Sequence, residues 1–366
     1  MGEKMILFYS MSLWVLLSSI ARPDTILKNS YISKVFFVLF TILLLAAIPF
    51  REFWTYGSDM INYVGFFQKI NGMSLVETFE ISIWEPGFVL MQWIISRLTS
   101  NPSLYIIIIV LLYIFILKRI INNIFLPWQM MFIFFAYLNF TFFYGYIFNA
   151  TRQGFSIMFL LLAISIWLNK GRNSFFYISL IASIAFHVSV IPAALIVTLL
   201  KKYRFGLKNL LLLWTVLSLF FVSGLNQLIL NIPFISSLSV IQTYSSSATL
   251  EHYGGEINNF SFFIFSAFFL TLSLTLYKII DMKEAIEITY LNIIKIYIAL
   301  NCYFLLFGFV AFSDRVAIYS WFLIPILVFY PILHKQRHSP VLLFASLIAT
   351  ILIGTLATSG FYELGF

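Results

Sequence analysis

The sequence predicts an all-α polytopic membrane protein, with about 10–12 transmembrane helices in one integral-membrane domain over residues 1–366. Re-entrant or broken segments and a long external loop interrupt the helices. Three observations carry this. The chain is 61% hydrophobic and 10% charged, with a mean hydropathy of +0.98, whereas a soluble domain carries about 25% charged residues. Apolar runs long enough to cross a bilayer recur along its whole length. Lys and Arg gather in the short segments between those runs.

The runs lie near residues 5–20, 35–50, 103–118, 127–147, 153–169, 208–223, 260–279, 291–311, 317–333 and 341–358. The first has a charged start but no small-residue cleavage site after it, so it reads as a spanning helix and not a removed signal. Basic clusters at Arg22/Lys28/Lys34, Lys118/Arg119, Lys170/Arg172, Lys201/Lys202/Arg204/Lys208 and Lys335/Arg337 mark the cytoplasmic side. Residues 51–85 are net acidic and amphipathic, and the loop 224–259 has Glu251 and Glu256 but no Lys or Arg. Both are expected outside.

Two stretches break the simple pattern. Pro86–Leu98 is too short for a full span, and Ser174–Leu200 is interrupted at "FHVSVIP". A re-entrant first stretch and a dip-and-return in the second put every basic cluster inside. Irregular backbone at membrane depth is tolerated where protein or a water cavity surrounds it, and broken helices often build sites.

Composition also excludes. The net charge of +8 is accounted for by loop topology, so nucleic acid is not a partner. A single cysteine, Cys302, leaves no internal disulfide and no thiolate metal site. There is no Gly-rich phosphate loop, DxD, HExxH or Cys/His cluster, hence no expected metal or cofactor.

The polar residues that remain fall into five groups. In "PFREFWTYGSDMINYVGFFQKI", Arg51 ends a span, and Asp59, Asn62, Tyr63 and Phe66 follow at helical spacing, with Phe67 and Ile70 continuing an apolar stripe. This reads as a short helix lying on the membrane surface. "WEPGF" sets Glu85 before Pro86, a helix start. "NATRQGF" places Asn149, Arg152 and Gln153 at the edge of hydrocarbon, with Gly154 allowing close approach of another backbone. An arginine there costs about 2.5–3.5 kcal/mol on insertion scales and usually meets an acid or a ligand anion. "FHVSV" holds His187 in an apolar run, and "FSDRVAIYSW" opens a late span with Asp314 and Arg315. Each has a plain alternative. Arg51 would snorkel, Asp59 would cap a helix and Glu85 would answer a helix dipole. Arg152 would pair with Asp59, Glu85 or Asp314. His187 would be a satisfied core histidine, and Asp314/Arg315 a solvated pair.

Together these stretches resemble the EpsG family of exopolysaccharide membrane proteins, which overlaps with Wzy-type O-antigen and capsule polymerases. The resemblance runs over about residues 45 to 330 and rests on Arg51, Gly57, Asp59 and Tyr63, on Glu85 and Gly87, on Asn149, Arg152 and Gln153, on His187 and Ser189, and on Arg315 and Tyr319. Thr151 departs from the apolar residue usual before the family's arginine. The resemblance implies a multi-pass glycosyltransferase of the bacterial inner membrane with a periplasmic site. It would join oligosaccharide repeat units carried on undecaprenyl diphosphate, which serve as donor and acceptor, with a separate protein regulating chain length. Asp59, Glu85 and His187 are then the candidate catalytic groups. Arg51, Tyr63, Asn149, Arg152, Gln153 and Arg315 are the candidate substrate-binding ones. Arginines suit a diphosphate because they form bidentate, charge-assisted bonds. Three rivals stand beside it: a flippase for the same lipid-linked glycan, a lipid-to-acceptor ligase, and a non-enzymatic assembly partner.

Overall fold

A computed structural model describes residues 13–20, 30–47, 58–233, 245, 256–335 and 339–361. Among them every regular element is a helix and no strand occurs. The protein is an all-α polytopic membrane protein. Five helices have the length and composition of a span: Pro102–Ile124, Thr151–Leu168, Phe260–Ile279, Glu284–Phe307 and Asp314–Leu333. Two bent helix pairs would raise this to seven, and Tyr31–Ile42, Asn173–Phe186 and Pro340–Ile353 are shorter apolar helices.

The chain forms two compact units, residues 1–190 with 337–366, and residues 191–336. In the first, the elements that matter are α1 (Ser58–Lys69), α2 (Leu75–Glu80), α3 (Pro86–Leu98), α4 (Pro102–Ile124), α5 (Met130–Leu138), α6 (Phe142–Phe148), α7 (Thr151–Leu168) and α8 (Asn173–Phe186). Their ends are written locally. Ser74 and Glu77 form a capping box at α2, which satisfies two otherwise orphaned donors. Asn101 accepts from Ser103 N and Leu104 N ahead of Pro102, starting α4. At 23 residues and about 1.5 Å per residue, α4 is long enough to cross the hydrocarbon core.

The centre of this unit is α7, packed between α4 and α8. Polar ties fix the contacts. Asn123 Nδ2 donates to Ser165 Oγ at 2.9 Å, and Ser183 Oγ donates to the Ser156 carbonyl at 2.6 Å.

The run expected as one span over 127–147 is broken. Pro127–Leu138 and Phe142–Phe148 meet at 80°. Asn139 ends α5: its backbone N–H and its side-chain amide both donate to the Phe135 carbonyl, the side chain at 2.9 Å. The stripe of α1 departs from expectation too. Met60, Tyr63, Val64, Phe67 and Ile70 are buried, Phe67 stacks on Tyr105 of α4 at 4.4 Å, and α1 packs on α3 and α4. This apolar face is covered by the protein's own helices and not by a membrane surface. Arg97 reinforces the turn after α1 by donating to the carbonyls of Ile70 and Met73.

In the second unit, the 24-residue helix Glu284–Phe307 is the axle. Ile191–Lys202, Leu207–Ser223, Phe260–Ile279, Asp314–Trp321 and Ile324–Leu333 all pack on it. Leu207–Ser223 ends at Gly224, whose φ of +76° is left-handed and open to glycine at little cost; the chain there turns by 89°.

Candidate functional site

Four side chains from distant parts of the first unit converge. Glu85 precedes α3, with Pro86 at the first helical position. Its carboxylate does not cap that helix. Instead it bridges two other groups: Oε2 accepts from Arg152 Nη1 at 2.5 Å, and Oε1 lies 2.6 Å from His187 Nδ1. Val188 N adds a longer contact to Oε1 at 3.4 Å. Arg152 Nε donates to Tyr63 Oη at 3.2 Å. The guanidinium also lies 5.8 Å from each of the Tyr63 and Trp84 ring centres, within range of a cation–π attraction.

Local backbone explains the convergence. The chain leaves α6 at Asn149, and α7 opens two residues later at Thr151, so Arg152 sits in the first turn after a break. Asn149 Oδ1 accepts from Asp59 N at 3.1 Å, joining the break to the start of α1. Thr151 Oγ1 donates back to the Ile147 carbonyl at 2.7 Å. Gly154 makes the break this tight: a Cβ there would fall 1.9 Å from the Tyr146 carbonyl oxygen. The expected close approach of another backbone is found. Gly87 does the same work at α3, where a Cβ would meet the Ala185 carbonyl at 2.8 Å. That contact seats α3 on the end of α8, where His187 is the extended residue closing the helix. The interruption expected at "FHVSVIP" is therefore real, a 3-10 turn over Val188–Val190.

The charges are arranged unequally. Burial by itself would push the Glu85 carboxyl up. The hydrogen bond with His187 and the positive charges of His187 and Arg152 outweigh it and hold the group at about 2. Glu85 is thus ionised and, at that value, a weak base. An ionised carboxylate only accepts, so Nδ1 of His187 carries a hydrogen in either charge state. In the neutral ring the free lone pair is on Nε2. Arg152 has Nη1 and Nε engaged, and among the described residues nothing pairs with Nη2. The side chains of Arg152 and His187 are 23% and 21% exposed.

Arg152 also lines a cavity of about 570 Å³, together with Asp59, Asn62, Lys69, Phe66 and Trp84. Among the expected residues, Asp59, Tyr63, Glu85, Asn149, Arg152 and His187 come together here. Gln153 is buried one residue further along α7. Arg315 belongs to the second unit, where its guanidinium lies 4.5 Å from the Phe312 ring centre. Arg51, and Gly57 with it, lie outside the described residues. Trp84, Asn62 and Lys69 were not expected; the same helical spacing that placed Asp59 and Tyr63 on one face contained Asn62 and Lys69, and Trp84 stood next to Glu85 in "WEP". No group of three or more His, Cys, Asp or Glu able to hold a metal occurs among the described residues.

The model of the EpsG family matches residues 34–362. The chain belongs to the EpsG family. No curated protein and no solved structure is similar enough to count as a match. Membership supports a polysaccharide-polymerase type of role in general for this EpsG protein, and the cluster at Glu85 supplies the residues in which to look for it.

Proposed function

We propose that this EpsG protein is a metal-independent glycosyltransferase of the bacterial inner membrane that polymerises oligosaccharide units carried on undecaprenyl diphosphate, with its site on the periplasmic side. One observation carries the reading. Arg152 is held by Glu85, Tyr63 and Trp84 on three sides, yet one guanidinium nitrogen stays open beside a cavity. A cation fixed in this way is preorganised for the charge that appears on a leaving diphosphate.

An acceptor hydroxyl oxygen attacks the donor's anomeric carbon, and a new C–O bond forms. The bond from that carbon to the diphosphate breaks, and the diphosphate leaves with the electron pair toward Arg152 Nη2. The hydroxyl proton passes to Nε2 of neutral His187. Glu85 does not take the proton; it is a positioning residue that fixes the His187 ring and Arg152 together. Asp59 lines the cavity and is the alternative proton acceptor.

The test is glycan length on a gel from cells carrying Arg152→Ala, with the protein shown to be folded and inserted. A ladder reduced to single repeat units is expected, with a fall in polymerisation of about a hundredfold or more. An unchanged ladder returns Arg152 to a structural ion pair. Complete loss of surface glycan replaces polymerisation by flipping or ligation.

A further inference from the structure

The cavity beside Arg152 has a lining that neither an anion clamp nor a lipid tail requires. Its volume of about 570 Å³ is that of an ordinary ligand pocket, about 300–1,000 Å³. One wall is aromatic: Trp84 and Phe66 meet edge to face at 4.8 Å, and both are half-buried. Asp59, Asn62 and Lys69 line another part, three positions on one side of α1. The indole N–H of Trp84, the amide of Asn62 and the ammonium of Lys69 have no hydrogen-bond partner among the described residues. Three open donors and a carboxylate beside a flat apolar ring match a polyhydroxylated ring. Its C–H face can lie on the aromatic wall while its hydroxyls take the polar groups. A polyprenyl chain would offer the indole N–H, the amide and the ammonium no hydrogen bond in place of water. A bare diphosphate could take the donors but would leave the aromatic wall unused and would meet the Asp59 carboxylate.

We infer that this cavity is the subsite for a sugar ring of the lipid-linked substrate, with Trp84 as its platform and Asn62 and Lys69 as hydroxyl ligands. The inference rests on the polymerase reading and deepens it: the ring bound here is the one whose diphosphate reaches Arg152. Asn62 and Lys69 are then specificity residues; neither touches the reacting atoms.

Two probes separate the inference from the reading beneath it. The protein is reconstituted in nanodiscs, and saturation-transfer NMR measures binding of the lipid-free repeat oligosaccharide released from the host's own polysaccharide, and of undecaprenyl diphosphate bearing no sugar. Trp84→Ala should weaken the oligosaccharide about tenfold, the loss of one good contact, and, because its ring lies against Arg152, weaken the diphosphate to a lesser degree; Asn62→Ala should weaken the oligosaccharide alike and leave undecaprenyl diphosphate unchanged. Arg152→Ala should do the reverse. Asn62 is exposed and its replacement threatens no packing, so it covers the case in which the Trp84 variant fails to fold. Oligosaccharide binding untouched by Asn62→Ala and by any folded Trp84→Ala protein overturns the subsite while leaving Arg152 in place. Weakening of undecaprenyl diphosphate by Trp84→Ala, with the oligosaccharide unaffected, overturns it in favour of a lipid groove. Undecaprenyl diphosphate binding unchanged by Arg152→Ala overturns the underlying reading instead.

Discussion

The two units differ in what their polar centres are made of. In the second, the interhelical polar ties at the core join neutral side chains. Tyr297 Oη donates to the Ser266 carbonyl at 2.9 Å, and Trp321 Nε1 donates to Ser266 Oγ at 2.8 Å. Trp214 Nε1 donates to Asn301 Oδ1 at 2.7 Å, and the Asn301 amide reaches Ser320 Oγ at 3.3 Å. Asn226 and Asn258 exchange amide hydrogen bonds at 2.8 and 2.9 Å. These are interhelical ties of the kind that hold membrane bundles, worth about 0.6 kcal/mol on average. In the first unit the polar centre is charged, lies at two chain breaks and keeps capacity in reserve. Arg152 retains an open nitrogen, and Gln92, Tyr105 and Tyr113 are buried without a hydrogen-bond partner among the described residues. Buried polar groups are normally satisfied. Neutral ties of this kind stabilise the second unit; the first unit keeps unsatisfied polar capacity beside its charged centre.

The sharpest way to break this contrast is at Gly154. A methyl group 1.9 Å from a backbone carbonyl cannot be relieved by a rotamer change. Gly154→Ala should cost about 3 kcal/mol or more, seen as loss of the monodisperse, detergent-solubilised protein. Normal yield and melting would show that the break carrying Arg152 is loose.

Glu85→Gln comes next. It removes the charge that holds Arg152 and His187 together, and should lower melting by about 1.5–3 kcal/mol while cutting polymerisation more than the melting loss explains. The pH dependence has a definite sign. The folded carboxyl is depressed to about 2 from an ordinary 4.5, so its stabilisation is fully present above about pH 4.5 and is lost as pH falls toward 2. The melting gap between parent and Glu85→Gln should therefore persist down to about pH 4.5 and close below it. A gap that closes near pH 6 would mean that Glu85 is not held ionised by Arg152 and His187.

The smallest effect is expected in the second unit. Asn301→Ala breaks the Trp214–Asn301–Ser320 tie and should cost about 0.6–1.7 kcal/mol in melting, with the glycan ladder unchanged once corrected for the amount of folded protein. A shortened ladder at normal stability would give that tie a functional role and erase the contrast.

Much of the site was legible before folding, for a physical reason: a charge at hydrocarbon depth is costly, so Arg152 and its neighbours stood out from an almost uncharged background. The glycine of "NATRQGF" likewise announced a close backbone approach, and "FHVSVIP" a break. Which acid answers the arginine was not legible. Asp59, Glu85 and Asp314 were equal candidates in the chain, and Glu85 as a charge answering a helix dipole was as reasonable as any. Gly87 against Ala185 settles the matter by seating one helix end on another, a contact between residues about a hundred positions apart that local patterning does not encode.

The sequence by itself determined that the chain is helical and lives in a membrane, because hydropathy over a span length is a local sum and backbone groups in lipid must pair within their own helix. It also determined which residues were too polar to be idle. Only the tertiary structure decided that the stripe of α1 faces protein, that the run 127–147 is bent, and that Glu85 joins Arg152 to His187 beside a lined cavity. Each of these depends on what occupies the space opposite a residue, and that is set by packing between distant segments.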